Sequence, residues 1–165
     1  SSSVYLDVKT ASVDVSSKMT FVTYSKQKAW TYRKFIHYLH GQQKTFFMPS
    51  WHNEFEVVKD FSSSSTSITI KNVGFKLYYD NRFLYIESMS GSIAFCKVLS
   101  SSITNDGDEQ LNLESMIGFS ATVENVKICC LLKYVRLSSD TVAIKHDVAD
   151  EFSFDLQVLE VPYEL

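Results

Sequence analysis

The chain has too few cysteines to be held by cross-links, no apolar run long enough to cross a bilayer, and no excess of positive charge. Its three cysteines, Cys96, Cys129 and Cys130, do not make a disulfide framework. Cys129 and Cys130 are adjacent, so a strand would send them to opposite faces. They read as reduced thiols that pack as small hydrophobes, which fits folding in a reducing compartment. The longest apolar run, Ile128 to Leu132, falls far short of the roughly 20 residues of a membrane helix, so no membrane span is expected. A net charge of -3 argues against a general nucleic-acid binder, which carries a basic excess. The first residues, Ser1-Ser2-Ser3, lack the basic start and apolar stretch of a signal peptide. They fit either ordinary Met removal or a fragment of a longer chain.

What is present is hydrophobic and aromatic. The 165 residues are 45% hydrophobic and 14% aromatic, with nine Tyr, twelve Phe and two Trp. Disordered chains are poorer in aromatics and richer in net charge. A chain this long buries roughly 70% of the surface it exposes when unfolded, enough for a core without metals or disulfides. One β-rich domain over residues 1–165 is expected.

Only two prolines and five glycines interrupt the sequence, and the dominant pattern between them is period-two alternation. Val4 to Val15 and Met19 to Ser25 read as strands joined by a turn at Ser16-Ser17. Lys44 to Met48 reads as a strand that Pro49 ends, followed by strands at Glu54 to Phe61 and Ser67 to Lys71 around a polar loop, residues 62–66. Phe75 to Tyr79 and Phe83 to Ser88 flank a hairpin turn at Asp80-Asn81-Arg82. Ser92 to Thr104 and Glu109 to Leu113 flank Asn105-Asp106-Gly107-Asp108, residues that tolerate the left-handed angles of a tight turn. Val126 to Leu137, Thr141 to Asp147 and Glu151 to Glu160 complete the series. Strands in this number predict an antiparallel sandwich or partly closed barrel of about ten strands.

One segment changes period. From Gln27 to His40, Ala29, Tyr32, Phe35, Ile36 and Leu39 share a helix face. Gly41 stands where a helix stop is expected. This single helix, at about 27–40, is expected to pack on the sheet.

Motifs for chemistry are scarce. His37 and His40 lie three apart on the helix, but no cysteine or carboxylate cluster near them completes a metal site. The Asn105–Glu109 stretch has calcium-loop residues without the distal bidentate Glu. There is no nucleophile elbow, phosphate loop or dinucleotide fingerprint. No cofactor, metal or catalytic residue is assigned, and the chain is not expected to be an enzyme. The aromatic cluster from Trp30 to Trp51 fits a core or a subunit interface, where aromatics are enriched.

That stretch carries a resemblance. In Ala29 to Phe55, a helix ends at Gly41 and the link Gln42-Gln43-Lys44 leads to the aromatic pair Phe46-Phe47 and then Pro49-Ser50-Trp51. This resembles a segment common in bacteriophage tail proteins, including distal tail, minor tail and hub-like proteins. Residues 105–114, 134–142 and 154–162 are similar to further hairpins of that group, so the likeness runs from about residue 20 to the end. In many of its members the unit follows another domain of a longer chain.

The resemblance implies a structural component of the tail tip, hub or baseplate, assembled in the bacterial cytoplasm and located in the virion. Its partners would be copies of itself in a ring, as closed symmetry allows, and other tail proteins. An alternative is a virion module that binds a receptor or glycan on the host surface. A cell-wall hydrolase would need paired carboxylates or a metal site.

Two sets of residues follow. Trp30, Arg33, Lys34, Gln42, Gln43 and Lys44 are candidate docking contacts. Arg33, Lys34 and Lys44 form a positive patch on an acidic protein, which could set register against an acidic neighbour; a merely solvated helix face accounts for them equally well. Phe35, Leu39, Gly41, Phe47, Pro49 and Trp51 form a candidate structural clamp, with Trp51 packed back on Phe35 or Leu39. On that reading Trp51→Ala costs roughly 3 to 5 kcal/mol.

Overall fold

The computed structural model describes residues 16–78, 82–146 and 151–162. Among the described residues the fold is mostly β, with nine antiparallel strands, one long helix and one single-turn helix, and the sheet does not close into a barrel. The elements are β1 (Ser16–Thr23), α1 (Lys26–Leu39), β2 (Thr45–Pro49), β3 (Ser67–Ile70), α2 (Phe75–Tyr78), β4 (Phe83–Ser88), β5 (Ile93–Ile103), β6 (Glu109–Leu113), β7 (Val126–Leu137), β8 (Ile144–His146) and β9 (Phe152–Glu160). The chain divides into two compact units. One comprises residues 1–47 and 134–165, the other residues 48–133.

In the first unit β1 pairs along β9, from Ser16 opposite Leu159 to Thr23 opposite Phe152. β8 pairs with the start of β9 and the last residues of β7 with its end. Alternation along β9 buries Phe152, Phe154, Leu156 and Val158, as a half-buried strand requires. Helix α1 begins where the Ser25 hydroxyl accepts the Lys28 amide at 3.3 Å, a Ser N-cap that satisfies one orphan donor. Its inward face is the one its periodicity marks. Leu39 is buried and Ala29, Tyr32, Phe35 and Ile36 are half-buried. Tyr32 meets Phe21 of β1 and Phe154 of β9 at ring distances of 6.0 and 5.5 Å, while those two rings stack at 5.1 Å.

In the second unit the first part of β7 pairs with β4, β4 with β5, β5 with β6 and β6 with β3. One face of these strands forms the core, with Ile68, Ile70, Leu84, Ile86, Cys96, Val98, Leu111 and Cys129 closed over by Phe55, Val57, Phe61 and Phe75. Cys130 lies on the opposite face with Tyr85 and Leu132. The adjacent cysteines thus part as the alternation predicts.

Three expectations are corrected. Ser16 and Ser17 are not a turn but the first residues of β1, because nothing there supplies positive φ and β9 offers them a ladder. Glu54 to Phe61 is not a regular strand. It makes isolated bridges at Val57 and Phe61, after a backbone turned by positive φ at Trp51 and Asn53. Scattered backbone bonds hold it, such as the Phe55 amide to the Cys129 carbonyl at 3.1 Å, while side chains meet two β7 amides: Asn53 Oδ1 accepts the Cys129 amide at 2.9 Å and Glu54 Oε2 the Leu131 amide at 3.2 Å. Phe75 to Tyr78 is a helical turn rather than a strand. Val4 to Val15 and positions 80 and 81 lie outside the described residues.

Candidate functional site

The sequence-predicted docking residues separate into three environments. Lys34 and Lys44 sit on aromatic rings of their own unit. Lys34 Nζ is 5.9 Å from the Trp30 ring centre and Lys44 Nζ is 3.6 Å from that of Tyr38, within the range of cation–π attraction. Trp30 is 60% exposed and Tyr38 61%. The exposed side of α1 therefore presents two solvent-facing aromatics, each accompanied by a cation. Gln43 is exposed at the helix exit.

Gln42 is a structural residue of the helix exit. Its amide donates to Asp140 Oδ1 at 3.0 Å and its side-chain Nε2 to the Ser138 carbonyl at 2.9 Å, while its Oε1 accepts from Arg136 at 3.3 Å. Gly41 makes this possible. It has φ of +64°, and a Cβ there would lie 2.6 Å from Asp140 Oδ1 and 2.9 Å from Asp140 Cα. His40 takes the left-handed cap position before it, with φ of 48°.

Arg33 belongs to a groove that the sequence did not reveal. Lys26, Ala29, Trp30 and Arg33 on α1 face His146 of β8 and Glu151 and Phe152 at the start of β9 around a cavity of about 310 Å³. Arg33 lies over the Phe152 ring at 5.4 Å and its Nη2 hydrogen-bonds His146 Nε2. Glu151 accepts from the Tyr24 hydroxyl at 3.3 Å. His146 also packs edge-on against Phe152, at 5.4 Å. Lys26 and Arg33 stand seven residues apart, two turns along one helix face. Their partners lie over a hundred residues downstream, and no local spacing signals them. The usable clue was the pairing of two strands read over Thr141 to Asp147 and Glu151 to Glu160.

Of the clamp residues, Phe35 and Leu39 pack beneath α1. Phe35 meets Phe46 edge-on at 5.3 Å, while Phe47 packs on Tyr134 at 5.0 Å. Pro49 is the last residue of β2. Within the second unit the Trp51 ring lies 5.3 Å from Tyr85 and is 46% exposed. Its φ of 63°, unusual for a bulky residue, directs the side chain along the Tyr85 face of the sheet.

Around Tyr85 the second unit leaves further apolar groups in solvent, including Phe95 at 64% exposed, with Ile93 and Leu99. Burial and the hydrogen bond to Glu87 push the Tyr85 hydroxyl up to about 12. Burial pushes Cys96 up to about 11 and raises Cys129 and Cys130 as well. Thiols so raised are poor nucleophiles. Among the described residues no three His, Cys, Asp or Glu side chains converge to hold a metal ion, and no helix is long and apolar enough to cross a membrane. No protein-family model matches the chain, and none of the curated proteins compared with it does.

Proposed function

We propose that the chain is a structural component of a bacteriophage tail, in its tip, hub or baseplate, that joins copies of itself into a ring and docks other tail proteins. The proposal starts from the resemblance of residues 29–55 to tail proteins. The observation that carries it furthest is the outer side of α1, where Trp30 and Tyr38 stand in solvent with Lys34 and Lys44 on their rings. Trp and Tyr are the residues most enriched at interface hot spots, and the lysines beside them add charge that can steer a partner. The exposed Phe95, Ile93 and Leu99 of the second unit add apolar surface of the kind that marks protein contacts. On this reading the protein resides in the virion tail, is assembled in the bacterial cytoplasm, and needs neither reaction nor cofactor.

Light scattering of the purified chain, with electron micrographs of any large species, tests the proposal. A discrete ring-sized oligomer is expected, and Lys34→Glu with Lys44→Glu is expected to reduce incorporation into particles while the fold is retained. Normal incorporation of that double variant removes the helix face from the docking surface. The alternative, a receptor- or glycan-binding module, draws on the same exposed Trp30 beside polar groove residues. It predicts a monomer whose groove variants lose adsorption to the host surface and still enter particles.

A further inference from the structure

The groove beside α1 has features that a solvated helix side does not need. Lys26 and Arg33 place two cations on its helix wall, and none of the ion pairs among the described residues uses either of them. Among the described lining residues the one carboxylate, that of Glu151, already accepts from Tyr24. Arg33 is also fixed in place, held over Phe152 and against His146. A guanidinium ordered before binding loses less entropy when a partner arrives, and its planar fork suits a carboxylate. In a protein of net charge -3, this is a local basic site walled by the exposed ring of Trp30.

We propose that this groove receives an acidic segment of a partner protein, in which a carboxylate side chain meets Arg33 and Lys26 and a neighbouring apolar side chain packs on Trp30. The inference rests on the assembly reading and names the chemistry of the partner. The volume, about 310 Å³, stands at the small end of ligand sites and suits one or two side chains. The groove favours a peptide over a sugar for two reasons. The Phe152 ring is already covered by the guanidinium and offers no unoccupied face for stacking a sugar. Among the described lining residues the cations outnumber the carboxylate, which selects charge rather than hydroxyls.

The test uses the full chain with Trp51→Phe, which leaves Trp30 as the sole tryptophan reporter. The probes are a capped Glu-Phe-Asp-Phe-Glu peptide, its Gln-Phe-Asn-Phe-Gln counterpart and an oligogalacturonate. The acidic peptide is expected to change Trp30 emission saturably, and to bind about tenfold more tightly than the amide peptide. It should weaken as salt rises from about 50 to about 300 mM, since exposed charge pairs are screened. Lys26→Glu and Arg33→Lys should each weaken it at least about fivefold, the second because it keeps the charge and removes the fork. If Trp51→Phe does not fold, the indole N–H signal of Trp30 in the unaltered protein, assigned with Trp30→Phe, gives the same reading. Equal binding of the amide peptide overturns the proposal, as does tighter binding of the oligogalacturonate or no saturable change at about 1 mM peptide, where affinity is only about 4 kcal/mol. Light scattering on the same sample separates the two failures. An oligomer that ignores the peptide defeats the groove alone, whereas a monomer that binds it leaves the groove standing and counts against ring formation.

Discussion

The carboxylate of Glu109 on β6 holds the amide of Phe75 with both oxygens, at 3.0 and 2.9 Å. The same group accepts the Val73 amide at 2.8 Å and the Ser101 hydroxyl at 3.5 Å, and it is 1% exposed. A buried carboxylate is costly unless several donors face it, and here backbone amides supply most of them. They are the amides left open where Gly74 turns the chain into α2, so the charge and the loop satisfy each other.

Glu109→Ala should therefore cost about 3 kcal/mol, because it strands buried amide donors, each worth about 1 to 3 kcal/mol. Glu109→Gln keeps one acceptor but turns an amide group toward amide donors, and it should cost about half as much. Urea denaturation with an unchanged slope reads both values. Equal, small effects would mean that water replaces the carboxylate.

Gly41→Ala should be destabilising by about 1 to 3 kcal/mol, the cost of a strained left-handed residue. Strain in φ and the clash with Asp140 act together there. Adding Asp140→Ala removes the contact at 2.6 Å with Oδ1 but leaves the one at 2.9 Å with Cα. The double variant should recover only part of the loss. Thermal melts of wild type, both single variants and the double variant make the cycle, and full recovery would remove the backbone contact from the account.

These two sites show what the sequence could and could not disclose. Gly41 was legible as a helix stop because left-handed closure is a local requirement written in one residue. The match of Asp140 to it was not, since close approach between distant segments leaves no periodic trace. Helix α1 and the strands from Phe83 onward were legible because their alternation is long and one-sided. The stretch from Glu54 to Phe61 also alternates, but the donors of β7 are met by Asn53 and Glu54 side chains, which no strand pattern encodes. Phe75 to Tyr78 is too short for period to separate strand from helix, and Glu109 decides it. Of the groove, the sequence marked only the helix positions of Trp30 and Arg33. His146, Glu151 and Phe152 reach them only through the pairing of β8 with β9.

Tyr85 should make stability fall at alkaline pH. Its hydroxyl is raised from 10.0 to about 12 in the folded protein, by burial first and by the hydrogen bond to Glu87 next. The unfolded chain therefore loses its proton first. The stabilisation is fully present below pH 10.0 and is lost as pH rises through about 12, as linkage requires for a raised pKa. Tyr85→Phe has no proton to lose at that site, so the gap between wild type and variant should narrow over this window. A constant gap in urea midpoints from neutral to alkaline pH would show that Tyr85 titrates normally.

Trp51 separates a clamp from a surface ring. A tryptophan packed back across the helix would cost roughly 3 to 5 kcal/mol on truncation. With 46% of its surface in solvent and Tyr85 as its aromatic neighbour, Trp51→Ala should cost only about 1 to 2 kcal/mol, in keeping with partial burial and one aromatic pair. The backbone supplies a second, sharper test. Because Trp51 holds φ of 63°, alanine retains the strain and glycine relieves it, so Trp51→Gly should be no less stable than Trp51→Ala although it is the smaller residue. Phe55→Ala, at a site that is 1% exposed, should show the full core penalty of about 3 to 5 kcal/mol and calibrates the comparison. If Trp51→Ala matches Phe55→Ala and Trp51→Gly is worse than both, the ring holds the fold together after all.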